Sequence, residues 1–126
     1  VSNFDILKKF FSKFPHLFDL PEQQSGLKTA WLAYPLLIKK NSLIKRQKLQ
    51  IFLEKEGIQT RTIFTGNILR QPVMRGRFYR KIKNAGLNSD NVMRNGILIG
   101  CHHGLSNKDL TYIKNKFNKF LLKFNF

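Results

Sequence analysis

The passage between residues 57 and 72 constrains the fold most, because it joins a helix stop to a strand and a polar loop. Gly57 follows a helical pattern and can adopt the left-handed conformation that commonly ends a helix. Apolar and β-branched residues then recur at every second position, at Ile58, Thr60 and Thr62. This alternation predicts a strand that carries Arg61 on its opposite face. We therefore expect a helix that ends at Gly57 and a strand directly after it.

A polar loop follows this strand. Gly66 and Asn67 can adopt positive φ and bring backbone N–H groups close to a ligand. Arg61 and Arg70 flank the loop, and a planar guanidinium is suited to phosphate or carboxylate. We interpret the strand and loop as a site that recognises an anion.

The length and composition are those of one folded domain. The chain has 126 residues, of which 42% are hydrophobic and 12 are Phe, whereas disordered segments are poor in aromatic residues. Lysines interrupt the apolar runs, so we expect no membrane span, and Asp5 with Lys8 and Lys9 argues against a signal peptide. The single Cys101 excludes an internal disulfide, and we predict a cytoplasmic protein. Because Val1 stands where an intact translation product has Met, we also expect a fragment.

The formal net charge of +16 has two interpretations. Such a charge is typical of proteins that bind nucleic acid or anionic membranes. It is also the outcome of codon choice in an A/T-rich genome, because Lys, Asn, Ile and Phe are all plentiful. The charge alone leaves both interpretations open.

The first part of the chain predicts a helix and a connector. Ser2 and Asp5 have capping-box spacing, and apolar residues follow at helical intervals until Phe14. Pro15 disfavours helical conformation at the residue before it, so this helix should end near Phe14. The connector that follows contains an extended piece over residues 17–20.

A strand and a second helix should precede Gly57. Residues 31–38 are almost wholly apolar and predict a strand, in which Pro35 indicates an edge or a bulge because it cannot donate to the ladder. Asn41 or Ser42 can cap the second helix, which should run to Glu56.

A strongly basic loop over residues 75–83 follows Pro72. Cations alternate there with Phe78 and Tyr79, whose rings could stack on bases, so this loop is the best candidate for binding nucleic acid. The simpler interpretation, which we favour, is a charged loop that faces solvent or substrate.

The last part of the chain predicts a helix, a strand and a helix. Asn88 or Ser89 can start a short helix that stops at Gly96, and residues 97–99 make a short buried strand. A second capping box then opens the closing helix at Ser106 and Asp109. Its apolar face comprises Leu110, Ile113, Phe117, Phe120, Leu121 and Phe124. These elements predict an α/β (α+β) fold, with helices packed on a small antiparallel or mixed sheet of about three strands.

Residues that could bind a ligand follow the last strand. Cys101, His102 and His103 lack the second ligand pair that a dedicated zinc site needs, so we expect no metal. A histidine between a strand and a helix N-terminus is well placed to contact an anion, with structural hydrogen bonding as the alternative. We assign the carboxylates to caps or helix surfaces, at Asp5, Glu54, Glu56, Asp90 and Asp109. The residues give no support for a catalytic group on this chain.

Several motifs together resemble the C-terminal part of the DegT/StrS family of pyridoxal-phosphate-dependent nucleotide-sugar aminotransferases and dehydratases. The resemblance is strongest to the branch of CDP-4-keto-6-deoxyglucose 3-dehydrase. The motifs are Trp31-Leu32-Ala33-Tyr34-Pro35, Gly57-Ile58-Gln59-Thr60-Arg61, Thr65-Gly66-Asn67-Ile68-Leu69-Arg70-Gln71-Pro72, Asn88-Ser89-Asp90-Asn91-Val92-Met93 and Ile99-Gly100-Cys101-His102-His103-Gly104-Leu105-Ser106. Ala33 departs from the glycine of the family pattern, and His102-His103 replaces Tyr-Pro or His-Pro.

The resemblance implies the small C-terminal domain of a fold-type-I enzyme in lipopolysaccharide or deoxysugar biosynthesis. It implies that pyridoxal phosphate or pyridoxamine phosphate is bound by a large domain missing here, and that the whole enzyme is a homodimer. Residues 1–126 would be this small domain and inactive alone. The substrate-binding residues would be Arg61, Gly66, Asn67, Arg70, His102 and His103, facing a nucleotide-diphosphate hexulose. The alternatives are a small basic nucleic-acid-binding module and a stand-alone interaction subunit.

Overall fold

The fold combines helices with a small sheet. The structure is a computed structural model that describes residues 3–64, 66–80, 84 and 86–124. Its elements in chain order are α1 (Asn3–Phe11), β1 (Phe18–Asp19), β2 (Ala33–Ile38), α2 (Arg46–Lys55), β3 (Thr60–Arg61), α3 (Leu87–Asn95), β4 (Gly96–Gly100) and α4 (Asn107–Leu121). Short 3-10 helices cover Ile68–Arg70, Pro72–Met74 and Leu122–Phe124. The α/β class predicted from the sequence is confirmed.

The sheet has four antiparallel strands in the order β1-β2-β4-β3. Three strands were expected, and the fourth is the two-residue β1, which lies within the extended piece predicted over residues 17–20. Phe18 pairs with Ile38 and Asp19 with Leu37. The sequence did not identify this piece as a strand, because so short a strand is defined by a distant partner and not by its own pattern.

Pro35 lies in an internal strand, so the prediction of an edge strand was wrong for β2 as a whole. The reason that proline is tolerated is local. β1 pairs only with Leu37 and Ile38, so that Pro35 has a strand partner on one side, at Leu98 of β4. Its missing N–H therefore interrupts no second ladder.

The core lies between one face of the sheet and α1, α2 and α4. Alternate residues of the two central strands are buried and opposite each other: Tyr34 pairs with Ile99 and Leu36 with Ile97. The ring of Phe11 in α1 stacks on Tyr34 at 5.5 Å and meets Phe117 of α4 edge-on at 4.9 Å. Aromatic residues thus connect the helix layer to the sheet.

Two helix starts differ from the predictions. α2 begins at Arg46, after the extended and uncapped Lys45, whereas the Ser42 hydroxyl accepts a bond from the Ile44 N–H and forms a local turn instead of a cap. α3 begins at Leu87, after Gly86 in the left-handed conformation. α2 starts later than predicted because capping side chains also favour turns that lie outside a helix. α3 starts earlier because Gly86, and not Asn88 or Ser89, is its N-cap.

The other helix ends agree better with the sequence. The capping box of Ser106 and Asp109 is present at the start of α4, and the predicted apolar face is buried except at Phe124, which is half-buried. α1 ends at Phe11 and turns continue to Phe14, while the proposed cap at Ser2 lies outside the described residues. No helix in the described ranges has both the length and the apolar character needed to span a membrane.

Candidate functional site

The turn after α2 positions Arg61. Gly57 has φ of 74°, its N–H donates to the carbonyl of Glu54, and the N–H of Ile58 donates to the carbonyl of Leu53. These two bonds form a Schellman motif, in which the left-handed residue is usually glycine. The predicted helix stop at Gly57 is therefore confirmed, and it turns the chain directly into β3.

A carboxylate of α2 fixes the start of β3. Oε1 of Glu54 accepts from the Thr60 N–H at 2.5 Å and from the Thr60 hydroxyl at 2.8 Å, and these bonds lower the pKa of Glu54. Thr60 and Arg61 then pair with Ile99 and Leu98 of β4. The Arg61 side chain is exposed and has no ion-pair partner within the part of the chain that the structure describes.

Arg61 and His102 line one cavity of about 430 Å³. The cavity lies between the turn after α2, the end of β4 and the first turns of α4, where Tyr112 and Asp109 also face it. The Asp109 carboxylate is already used by the cap of α4, because it accepts from the backbone and the hydroxyl of Ser106. Two of the six predicted site residues are thus brought together.

The wall of this cavity is fixed by contacts between α2 and α4. The Tyr112 hydroxyl donates to the carbonyl of Glu56 at 3.0 Å. The Glu56 carboxylate accepts from Lys116 at 2.5 Å and from Lys119 at 3.0 Å, and both bonds lower its pKa. These bonds connect the end of α2 to α4, and the Tyr112 side chain that makes one of them also lines the cavity.

His102 presents a hydrogen-bond donor. Its Nδ1 accepts from the Gly104 N–H at 3.2 Å, so the neutral ring carries its proton on Nε2. The side chain of Asn3 in α1 donates to the carbonyls of His102 at 2.7 Å and Leu105 at 3.2 Å, which fixes the loop. The structural hydrogen bond expected as the alternative is present, and the ring also lines the cavity, so contact with a ligand stays a prediction.

Asn67 and Arg70 converge on Asp90, a residue that the sequence analysis assigned to a cap or a helix surface. Asp90 is only 8% exposed. Its Oδ1 accepts from Asn67 Nδ2 at 2.8 Å and from Arg70 Nε at 3.0 Å, and its Oδ2 accepts from Arg70 Nη2 at 2.7 Å. The bonds from Arg70 and then Asn67 hold the pKa of Asp90 well below its usual range. The surface assignment was wrong because these partners lie about twenty residues away.

One sequence signal could have indicated the role of Asp90. It is the only carboxylate between Glu56 and Asp109, in a stretch rich in arginine. An isolated carboxylate among cations is a good candidate for an internal ion pair. The spacing alone could not show which arginine it meets.

Gly66 and Asn67 pack the start of this loop against α3. Gly66 has φ of 75°, as predicted, but Asn67 has φ of −126° and caps the 3-10 helix that follows by accepting from the Leu69 N–H. A Cβ atom on Gly66 would lie 2.2 Å from the Cβ of Met93. Asn67 is 3% exposed, so its carboxamide serves contacts within the chain.

His103 and Cys101 lie at a second cavity, away from Arg61, which also contains Trp31 and Asn3. Consecutive residues of an extended chain point to opposite sides, as expected, so His102 and His103 line different cavities. The buried Cys101 thiol donates to the carbonyl of Trp31 at 3.3 Å, and burial raises its pKa to about 11. It is therefore a thiol and not a reactive thiolate at neutral pH.

The described part of the basic loop, residues 75–80, is exposed throughout. Phe78 is fully exposed, and Arg75, Arg77 and Arg80 are exposed beside it. Lys81 and Lys83 lie outside the described residues. The charged, solvent-facing surface favoured in the sequence analysis is compatible with this exposure.

Comparison with known proteins assigns the family. The sequence profile of the DegT/DnrJ/EryC1/StrS aminotransferase family matches residues 2–118, which is most of the chain. The chain belongs to this family. The resemblance found in the sequence motifs is thereby confirmed.

The relatives are much longer proteins. The chain is 32% identical over 119 residues to the lipopolysaccharide biosynthesis protein RfbH of Salmonella typhimurium, covering 94% of the chain and 27% of that protein. It is 32% identical over 117 residues to the GDP-4-keto-6-deoxy-D-mannose 3-dehydratase of Yersinia pseudotuberculosis, covering 92% of the chain and 28% of the relative. The matched part is the C-terminal part of such relatives, so the chain spans less than a third of their length.

A solved structure supports the same fold. The E. coli GDP-4-keto-6-deoxy-D-mannose-3-dehydratase with bound hydrated PLP superposes with a TM-score of 0.75 at 26% identity. The superposition covers 90% of this chain and 28% of that one. The small sheet and its helices therefore match one part of a pyridoxal-phosphate enzyme.

The described cavity residues do not themselves fit this cofactor. Pyridoxal phosphate is usually bonded to a lysine, and none of the residues that line the cavity with Arg61 and His102 is a lysine. The donor set, a guanidinium and an Nε2–H, suits phosphate or carbonyl oxygens instead.

Proposed function

We propose that this chain is the small C-terminal domain of a nucleotide-sugar aminotransferase or 3-dehydratase that uses pyridoxal phosphate or pyridoxamine phosphate. Its task is to bind the substrate and not to catalyse the reaction. The observation that carries the proposal is that Arg61 and His102 line the same cavity. Family membership supplies the substrate class, a nucleotide-diphosphate hexulose.

Arg61 and His102 make different contacts with the ligand in this proposal. Arg61 offers an exposed guanidinium to the diphosphate, and its planar fork binds two oxygens at once. His102 donates one hydrogen bond from Nε2 to the same group or to the sugar. Both side chains orient the ligand by position and charge, while neither needs to give up a proton to do so.

The rest of the enzyme lies outside this chain in the proposal. Relatives of more than three times the length match only through their C-terminal part, which supports a large domain that holds the cofactor. When bound there, the cofactor supplies an electron sink for chemistry at the sugar carbons. The homodimer and the cytoplasmic location are further parts of the proposal. Because the large domain carries the group that faces the cofactor, transamination and 3-dehydration remain equal candidates.

Titration of the chain with inorganic pyrophosphate and with CDP or GDP tests the proposal. We expect saturable amide shifts in NMR spectra at Arg61 and in the His102 loop. Arg61→Ala should weaken binding about tenfold or more, since it removes a bidentate charged contact. Lys48→Ala, which removes an exposed cation of α2, is the matched control and should bind like the wild type. Shifts that are absent, or equal losses in both variants, would contradict the proposal.

A second titration tests the separation of substrate and cofactor sites. Pyridoxal phosphate added to the chain should give only the weak, unsaturable absorbance of random Schiff bases with surface lysines. A stoichiometric absorbance band, from a Schiff base that reduction traps at one lysine, would place the cofactor on this chain and contradict that part of the proposal.

A further inference from the structure

Arg70 binds Asp90 through one edge of its guanidinium only. Nε and Nη2 donate to the two carboxylate oxygens at 3.0 and 2.7 Å. The bidentate contact leaves the Nη1 edge outside it. The Arg70 side chain is 59% exposed whereas that of Asp90 is 11% exposed. The buried carboxylate therefore holds an arginine whose side chain is largely exposed.

Asn67 in turn holds Asp90. Its Nδ2 donates to Asp90 Oδ1 at 2.8 Å and to the Gly86 carbonyl at 3.3 Å, while its Oδ1 accepts from the Leu69 N–H. These bonds tie the loop before Arg70 to the start of α3. The carboxylate cannot rotate without breaking its bonds to both Asn67 and Arg70, so its position is fixed before any ligand arrives.

We propose that Asp90 and Asn67 are positioning residues that aim the Nη1 edge of Arg70 at a phosphate of the ligand. The inference deepens the proposed function and rests on it. It changes the role of Asn67, which was expected to contact substrate and instead acts through Asp90. Arg70 does not line the cavity of Arg61 and His102, so the two arginines present their donors from separately built supports.

The direction in which Asp90→Asn changes the affinity for an anion shows whether Asp90 orients Arg70 or acts only as a nearby negative charge. If Asp90 acted only as a nearby negative charge, Asp90→Asn would raise the affinity for an anion, because it removes a repulsion. If Asp90 orients Arg70, the same change lowers the affinity. We expect a loss of about tenfold in pyrophosphate affinity, the lower end of the range found when the partners that orient metal ligands are removed.

Isothermal titration of the full 126-residue chain with pyrophosphate, supported by thermal unfolding, makes the test. Asp90→Asn should bind weakly, and adding it to Arg70→Ala should cause no further loss, because Asp90 acts through Arg70. Asp19→Asn removes a carboxylate from the exposed Lys39 ion pair and should bind within about twofold of the wild type. Arg70→Lys keeps the charge and loses the fork; we expect it to bind as weakly as Arg70→Ala.

The outcomes separate the two proposals. Unchanged or tighter pyrophosphate binding by Asp90→Asn would overturn the positioning role. The role would also be overturned if both Arg70 variants bind like the wild type while Arg61→Ala binds weakly. If Asp90→Asn does not fold, the pyrophosphate affinity of Arg70→Lys alone decides the test. The Arg70 side chain is mostly exposed, so we expect this variant to fold. An absence of pyrophosphate binding by the wild type would overturn the proposed function together with this inference.

Discussion

At the scale of single residues, arginines that look equivalent in the sequence have different surroundings. Arg61 stands on a two-residue strand and meets no carboxylate among the described residues. Arg70 is held by Asp90, which raises the pKa of its guanidinium. An arginine without an ion pair can change its side-chain conformation to fit a ligand, whereas an arginine fixed by an ion pair presents its remaining N–H groups in one orientation. Their different surroundings suit the two kinds of contact proposed above.

Replacing Asp90 by Asn should make the free energy of unfolding depend less on pH under acidic conditions. Bonds from Arg70 and Asn67 hold the pKa of folded Asp90 far below its unfolded value of about 3.9. Such a group stabilises the folded state fully above the unfolded pKa and loses this contribution as pH falls through the folded pKa. In urea unfolding between about pH 6 and pH 2, wild type should therefore lose more free energy of unfolding than Asp90→Asn. Equal losses would contradict this.

Gly66→Ala should destabilise the chain more than Gly76→Ala. Both glycines have positive φ, at 75° and 71°, so both alanines carry the strain of the left-handed region, about 1 kcal/mol. Only at Gly66 would the new Cβ meet Met93, at 2.2 Å, and such overpacking adds about 1–3 kcal/mol. Nothing lies within 4 Å of the corresponding atom at Gly76. Chemical unfolding of the two variants measures the difference, and similar losses would show that Met93 moves aside freely.

At the scale of elements, the strength of α4 depends on its cap. The Ser106 hydroxyl accepts from the Asp109 N–H, so Ser106→Ala should lower the free energy of unfolding by about 1 kcal/mol. Ser12→Ala is the matched control, because that hydroxyl only donates to the Lys9 carbonyl near a helix end. It should change stability by less than about 0.5 kcal/mol. The same change in both variants would contradict a specific capping role.

Elements with local signals were predicted well from the sequence. The Schellman turn at Gly57 and the capping box of α4 each depend on residues within a few positions, so their patterns are complete in a short window. β1 and the cluster around Asp90 depend on partners 20 residues away. Arg61 and His102 share a cavity only because β3 and β4 are neighbours in the sheet. The sequence motifs supplied candidate site residues, but which of these residues share a cavity is determined by the topology.

At the scale of the whole molecule, net charge opposes folding. The described residues contain four ion pairs, whereas the full chain carries a formal charge of +16. Self-repulsion of this size destabilises the compact state, and salt screens it over a Debye length that falls from about 30 Å at 0.01 M to about 10 Å at 0.1 M.

Raising sodium chloride from about 0.01 M to about 0.1 M should therefore raise the thermal midpoint by several degrees. The screened repulsion outweighs the weakening of the ion pairs, because salt screens partly buried pairs much less than it screens exposed charges. Choline chloride at equal ionic strength is the control for binding of sodium and should give the same rise. A midpoint that falls with both salts would show that attractive pairs dominate.

The pairing of β2 with β4 also determines when the protein can fold during its synthesis. The central strands join residues 33–38 to residues 96–100, so β2 leaves the ribosome about sixty residues before its main partner. At ~5–20 residues per second this delay lasts several seconds, during which an apolar strand is exposed without its main partner. Chaperone supply during synthesis should therefore raise the yield of folded chain.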